Sequence, residues 1–250
     1  MRTLIFDIET SPMVAYMWRL WDKLTSMDFV IEDGRILCWA AKWLDEDDVY
    51  FASEWEHGQE GMLQGLWDLM DEADVLVAHN GDRFDRPWVN GQFLKYGIEP
   101  PSPCFMVDTW KVAKKMFTLP SNRLDALAKL LEVGEKLETG GFQLWKDVLA
   151  GDPGAQQVME DYNIRDITVL EDVYLCLRPW IQNHPNVSDP GVNTPTCPTC
   201  GSDHLNRRGY AKTRSGVYQR YRCMDCGGWS RTRYTEVEKN VNRLTQDATK

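Results

Sequence analysis

Two Cys-x2-Cys pairs, Cys197/Cys200 and Cys223/Cys226, stand 22 residues apart near the end of this 250-residue chain. They constrain its folding more than any other feature. Four thiols at that spacing suit tetrahedral coordination of one Zn²⁺. A glycine follows each second cysteine, Gly201 and Gly227, where the chain must turn around the metal with φ > 0. His204 could replace one thiol, but four already satisfy zinc. A disulfide framework is disfavoured, because the N-terminus lacks a basic region followed by a long apolar run. The pairs therefore mark off a small β zinc ribbon at 197–233, leaving enough preceding chain to bury a full core of its own.

Charge divides at the same place. Residues 1–190 hold 17 Lys and Arg against 33 Asp and Glu, a net of −16, whereas residues 191–250 hold 11 against 5, a net of +6. An acidic body with a basic tail piece suits a metal-dependent enzyme carrying a separate binding module. Between the cysteine pairs lie Arg207, Arg208, Tyr210, Lys212, Arg214, Tyr218, Arg220, Tyr221 and Arg222, on an expected hairpin turning near Ser215-Gly216. Basic and aromatic residues on a small β surface suit nucleic acid, and the competing reading is a protein-docking site; nucleic acid is favoured. Residues 182–196, with three prolines, read as a linker, and 234–250 as a polar, fraying tail. Cys38, Cys104 and Cys176 read as small core residues. No apolar stretch reaches the about 20 residues of a membrane span, so a cytoplasmic protein is expected.

Strands are predicted at Thr3 to Ile8, Arg35 to Trp43 and Val49 to Ala52, simplest as a meander. Helix-like periodicity covers Glu60 to Glu72, followed by a strand at Val75 to Ala78 and a helix from Arg86 to Tyr96 stopped by Gly97. A strand at Phe105 to Val107 leads into a helix near Asp108, with further helices at Arg123 to Leu131 and Gln143 to Leu149. Asp152-Pro153 caps a long helix that should reach about Leu177. The pattern is an α/β domain with a mixed sheet.

Within it, Asp7 and Glu9 close the first strand and share a face at i and i+2, while Tyr162 and Asp166 share a helix face at i and i+4. If Val158, Tyr162, Asp166, Val169 and Val173 form one stripe, Asp166 sits on the apolar side, where an unpaired carboxylate is costly and a cation would relieve it. Taken alone, Asp85 could cap a helix before Arg86-Pro87, Asp7 and Glu9 could be a polar strand end, and Tyr162 a core tyrosine. Asp108 reads as a cap, Asp82 is left outside the site, and Asp161 with Arg165 reads as an outward i,i+4 pair.

Phe6-Asp7-Ile8-Glu9-Thr10, His79-Asn80-Gly81-Asp82-Arg83-Phe84-Asp85 and Tyr162-Asn163-Ile164-Arg165-Asp166 together resemble, in order, the three motifs of the DnaQ-like, or DEDD, superfamily of 3'-5' exonucleases. The third has the YxxxD spacing of the DEDDy subgroup. The resemblance covers roughly residues 1–180; with 1–181 as the nuclease domain, it implies an RNase H-like fold, a mixed five-stranded sheet flanked by helices. It also implies two Mg²⁺ or Mn²⁺ ions: Asp7 bridges both, Glu9 and Asp166 complete the first site, and Asp85 supports the second. Oxygen-only ligands favour such hard ions over zinc. Tyr162 would orient the attacking water, a safer role than base for a phenol of ordinary pKa near 10. Asn80 and Phe84 occupy positions that contact the terminal nucleotide in the family. Tyr16, Trp18 and Trp21 could stack on unpaired bases or serve as core or lid.

The expected function is a metal-dependent 3'-5' exonuclease acting on single-stranded or frayed DNA ends, with nucleic acid as partner and a DNA polymerase or other replication or repair protein as a second. No polymerase motif follows the domain, so proofreading would act in trans. The alternatives are an RNase of the same fold and a non-catalytic zinc-ribbon recruitment factor.

Overall fold

The computed structural model describes residues 1–19, 26–134, 140–189, 191–192, 194–213 and 216–235. Its contacts gather into two compact units, one spanning Arg2–Tyr174 and the other running from Leu175 onward. Trp21, Arg214 and Ser215 lie outside the described residues.

The first unit opens with β1 (Thr3–Thr10), followed by a short hairpin of β2 (Val14–Ala15) and β3 (Val30–Glu32), then β4 (Ile36–Trp43) and β5 (Val49–Ser53). Helix α1 (Glu54–Glu72) leads to β6 (Val75–Ala78), α2 (Asp85–Tyr96) and β7 (Phe105–Asp108). Four helices follow: α3 (Thr109–Met116), α4 (Leu124–Leu131), α5 (Phe142–Leu149) and α6 (Pro153–Leu177). The five long strands form one mixed sheet in the order β5-β4-β1-β6-β7. The expected meander makes its antiparallel half, and β6 and β7 add in parallel to β1.

Alternation along β1 decides what each face carries. Leu4, Phe6 and Ile8 pack with Trp39, Ala41 and Trp43 against Met62, Leu63, Leu66 and Met70 of α1 and Val89 and Phe93 of α2. Asp7 and Glu9 must then point to the opposite face. On that side Leu37 and Cys38 pack with Leu144 and Val148 of α5 and Ala155 and Met159 of α6. Lys42 of β4, opposite Ile5 in register, reaches Glu171 of α6 in an ion pair with both side chains nearly buried. A buried pair of this kind fixes which turn of a helix sits over which strand.

Several details depart from expectation. Helix α1 starts at Glu54 rather than Glu60 because Gly58 breaks it with a φ of 66°, and periodicity alone registers only the regular part beyond. The inward stripe of α6 runs through Met159, Tyr162, Asp166, Val169 and Val173, while Val158 is exposed. Met159, one position on, lies nearer the arc completed by Ala155 and Tyr162, leaving Val158 an apolar residue on the solvent side. Of the isolated cysteines Cys38 is buried and Cys104 half-buried, but Cys176 is exposed, on the outward side of the last turn of α6 beside exposed Leu175. Tyr16 and, at 87% exposure, Trp18 are not core residues. The β2–β3 hairpin that carries them has strands too short to give a periodic signal.

In the second unit β8 (Leu205–Lys212), β9 (Val217–Cys223) and β10 (Trp229–Arg231) form an antiparallel sheet in the order β10-β9-β8. The register slips between Arg207 and Tyr210, where Gln219 Nε2 donates to the Gly209 carbonyl at 2.9 Å. Thr235, in the segment expected to fray, donates to the Val217 carbonyl at 2.7 Å; residues 236–250 lie outside the described residues. Among the described residues no helix is long and apolar enough to cross a membrane.

Candidate active site

Strand β1 and helix α6 meet where their acids project. One carboxylate oxygen from each of Asp7, Glu9 and Asp166 lies within 4.8 Å of the others. Three like charges this close repel in proportion to their proximity, and the all-oxygen donor set matches what a hard divalent cation accepts. The negative field is felt nearby: burial, together with Glu9 and Asp7, pushes the Cys38 thiol well above its usual value. Cys38 is the register partner of Glu9 on β4.

Helix α6 supplies more than Asp166. Tyr162 is buried one turn before it, and Asn163, 0% exposed, donates from Nδ2 to Asp7 Oδ2 at 2.9 Å. The bond fixes the amide orientation, since the flipped form would set its oxygen against the carboxylate. Asn163 Oδ1 is buried with no hydrogen-bond partner among the described residues.

Asp85 is placed close by, but not in the three-carboxylate cluster. Parallel pairing of β1 with β6 ends at Ile5 and Val77, so the Ile8 amide has no strand partner on that side. Asp85, the first residue of α2 and 2% exposed, fills the gap: its Oδ1 accepts from Ile8 N at 3.4 Å. The carboxylate thus reaches the main chain between Asp7 and Glu9 and does not act as a side-chain cap of its helix. Burial lifts the Asp85 carboxyl to about 7, against the backbone N–H groups of Asp85 and Ile8, and Asp108 adds to the rise.

The loop before α2 is tied down by Asp108. Its carboxylate accepts from Lys111 N, as a cap of α3, and also from Asn80 N at 3.0 Å and Asp82 N at 3.4 Å. Asn80 holds a φ of 68°, a left-handed conformation that Asn tolerates better than most residues. Gly81 is required by space, because a Cβ there would stand 2.3 Å from Met106 Cε and 2.5 Å from Ala78 Cβ. His79 is held at both ring nitrogens, by Thr109 Oγ1 and the Asn122 carbonyl, each at 2.9 Å. Phe84 is exposed, with its ring 6.2 Å from that of Trp88. Asp82 pairs with Arg86 and Lys111, and Asp161 is exposed and accepts from Gln157.

In the second unit Cys197, Cys200, Cys223 and Cys226 bring their sulfurs within 4.8 Å of one another. The Cys197–Cys226 and Cys200–Cys223 separations are both 3.6 Å, far beyond a disulfide bond and near the about 3.8 Å edge of a tetrahedron with 2.3 Å metal–sulfur arms. Gly201 and Gly227 have φ of 77° and 75°, as the sequence requires. Burial opposes the Cys223 thiolate, yet the Cys226 and Asp225 backbone N–H groups bring it down to about 7. The four residues fit a zinc ion. His204 stands outside them, exposed and bonded to Asp225 at 3.1 Å.

A family model described as the RNase H superfamily matches residues 32–178, more than half of the chain. The chain belongs to the RNase H superfamily. A curated relative of this RNase H superfamily protein, DNA polymerase III PolC-type of Ureaplasma parvum serovar 3, is 25% identical over 223 residues. The match takes in 74% of the chain and only 14% of the relative. A family B DNA polymerase from the hyperthermophilic archaeon Pyrobaculum calidifontis superposes with a TM-score of 0.55 at 18% identity, over 71% of the chain and 24% of that polymerase, a likeness of fold.

Sequence reasoning about this RNase H superfamily protein gave no role to Asn163, although a polar residue three positions before Asp166 on the inward face of a helix was a readable signal. On the ribbon its basic and aromatic residues ended at Arg222, and so Trp229 and Arg231, inside 197–233, were given no role.

Proposed function

We propose that this protein is a metal-dependent 3'-5' exonuclease that hydrolyses phosphodiester bonds of DNA at single-stranded or frayed 3' ends. The carrying observation is the convergence of Asp7, Glu9 and Asp166 within 4.8 Å, in a chain of the RNase H superfamily. The 3'-5' polarity is taken from the three motifs that resemble DEDDy exonucleases.

Asp7, Glu9 and Asp166 would hold one Mg²⁺ or Mn²⁺ ion, and Asp85 would support a second. When bound, such a pair supplies charge stabilisation to the attacking and departing oxygens and lowers the pKa of water. The residues themselves position the reaction. Asn163 holds Asp7 by its hydrogen bond, Tyr162 orients the attacking water through its hydroxyl, and Asn80 and Phe84 contact the terminal nucleotide. One Zn²⁺ on the four cysteines closes the ribbon, at 197–233, beyond a linker at 182–196. The name of the PolC-type relative supports nucleic acid as the partner and a DNA polymerase or other replication or repair protein as a second; the cytoplasm is the proposed location.

The test is to incubate 5'-labelled single-stranded DNA, duplex DNA and RNA with Mg²⁺ or Mn²⁺, with Asp166→Ala as control. A ladder shortening from the 3' end of DNA is expected, absent in the variant. Faster loss of RNA than DNA would replace the substrate by RNA. Absence of metal-dependent cleavage, or cleavage undiminished by Asp166→Ala, would overturn the reading.

A further inference from the structure

The ribbon carries a surface that its own structure leaves electrostatically unbalanced. Alternate residues Tyr218, Arg220 and Arg222 of β9 share one face. Register places Arg231 of β10 opposite Arg220 and Trp229 opposite Arg222, on that same face. The Arg231 guanidinium lies 4.1 Å from the Tyr218 ring centroid, and that of Arg220 4.9 Å from the Trp229 ring. Cations and rings thus alternate diagonally across two strands. Trp229 remains 54% exposed, and the three arginines are exposed too.

Arg220 directly opposite Arg231 is a like-charge cross-strand pair, which weakens a sheet unless an anion lies over it. Among the described residues no carboxylate pairs with Arg220, Arg222 or Arg231; Asp225 is engaged by Ser202 and His204. A polyanionic ligand would supply the missing counter-charge, and the interleaved rings say which kind. We propose that this face binds a single-stranded polynucleotide, with bases stacked on Trp229 and Tyr218 and phosphates held by Arg220, Arg222 and Arg231. Trp229 stands level with Arg222, four residues along β9 from Tyr218, so their backbone positions are about 13 Å apart at the rise of a strand. Bases in a duplex are stacked at about 3.4 Å with their faces hidden, so only a strand free to splay its bases reaches both rings. The inference stands apart from the nuclease reading, since it uses no residue of the acidic cluster.

The experiment follows fluorescence anisotropy of a labelled 20-nucleotide oligo-dT titrated with the full chain. Asp166→Asn is included and divalent ions are withheld, so that the oligonucleotide stays intact. Adding Trp229→Ala should weaken binding about tenfold, the effect of losing one stacked base. Replacing Arg220, Arg222 and Arg231 together by Gln should flatten the slope of log affinity against log salt by about 2, the share of three single-strand phosphate contacts. A duplex of the same length should bind at least about tenfold more weakly. Zinc content separates a lost contact from a lost fold; if Trp229→Ala loses zinc, the arginine variant, whose side chains are on the surface, decides. Unchanged affinity and salt slope in a zinc-replete arginine variant would overturn the proposal in favour of a protein-docking face. Duplex binding as tight as single-strand binding would overturn it as well. Cleavage of a dinucleotide by the ribbon variants in an otherwise wild-type chain reads the nuclease separately, so the two readings can fail independently.

Discussion

Asp85→Asn should change how stability depends on pH, and the change can be worked out from the burial of one carboxyl. Asp85 is 2% exposed and its carboxyl is lifted from 3.8 to about 7. The group titrates near 3.9 in the unfolded chain. Between these values the folded protein keeps a proton that the unfolded chain has released, so stability falls as pH rises from about 4 to about 7 and is level above. Three pKa units correspond to roughly 4 kcal/mol, an order-of-magnitude figure for a buried group. Asn cannot titrate. Its Oδ1 can still accept from Ile8 N, and any unsatisfied amide hydrogen adds a constant penalty of about 1–3 kcal/mol at every pH. The slope, not the offset, therefore carries the information. Urea unfolding of wild type and variant, prepared without Mg²⁺ or Mn²⁺ and followed between pH 4 and 8, should give a difference that drifts in favour of Asn by several kcal/mol. Added Mg²⁺ should stabilise the wild type more at pH 8 than at pH 5, since a cation and the Asp85 proton compete. A wild type and variant that differ by the same amount at every pH would refute the reasoning, by showing that Asp85 titrates alike in the folded and unfolded chain.

Other outcomes follow from single contacts. Asn163→Ala removes the 2.9 Å bond to Asp7 and should lower kcat about 10- to 100-fold with KM little changed and the circular dichroism spectrum intact, as expected for a hydrogen bond to a charged group. Lys42→Met alone should cost about 3–5 kcal/mol by stranding Glu171, while Lys42→Met with Glu171→Leu should recover most of it in thermal melts. Cys223→Ser should abolish stoichiometric zinc binding and expose the ribbon to proteolysis, leaving the melting of the first unit unchanged.

How much of this was legible depended on whether the signal was local. Strand β6 and the Gly97 stop of α2, which holds a φ of 69°, were readable because an apolar run and a glycine carry their own geometry. The two glycines of the cysteine module were legible for the same reason. The partnership of Asp7 with Asp166 was visible only through motif order, since nothing near either residue states that a strand and a helix so far apart will pack together. The resemblance set Asp85 apart from Glu9 and Asp166 by giving it the second ion, but how its carboxylate is held was not legible. Its place is set by where β6 stops pairing with β1, a fact about register rather than composition. Val158 misled because periodicity fixes a helical face only to within one residue.

The separation of the acids along the chain also governs when the cluster can exist. Asn163 and Asp7 touch across 156 intervening steps of sequence, and Asp166 lies further on still. During synthesis β1 emerges before α6 with two carboxylates and no third, so the emerging polypeptide holds an incomplete carboxylate cluster until α6 has cleared the ribosome and docked. Contacts between such distant segments also form late, because the intervening loop must first be closed at a cost in chain entropy. On the proposed nuclease reading, a nascent chain of this design would be harmless to nucleic acid beside it until α6 has packed.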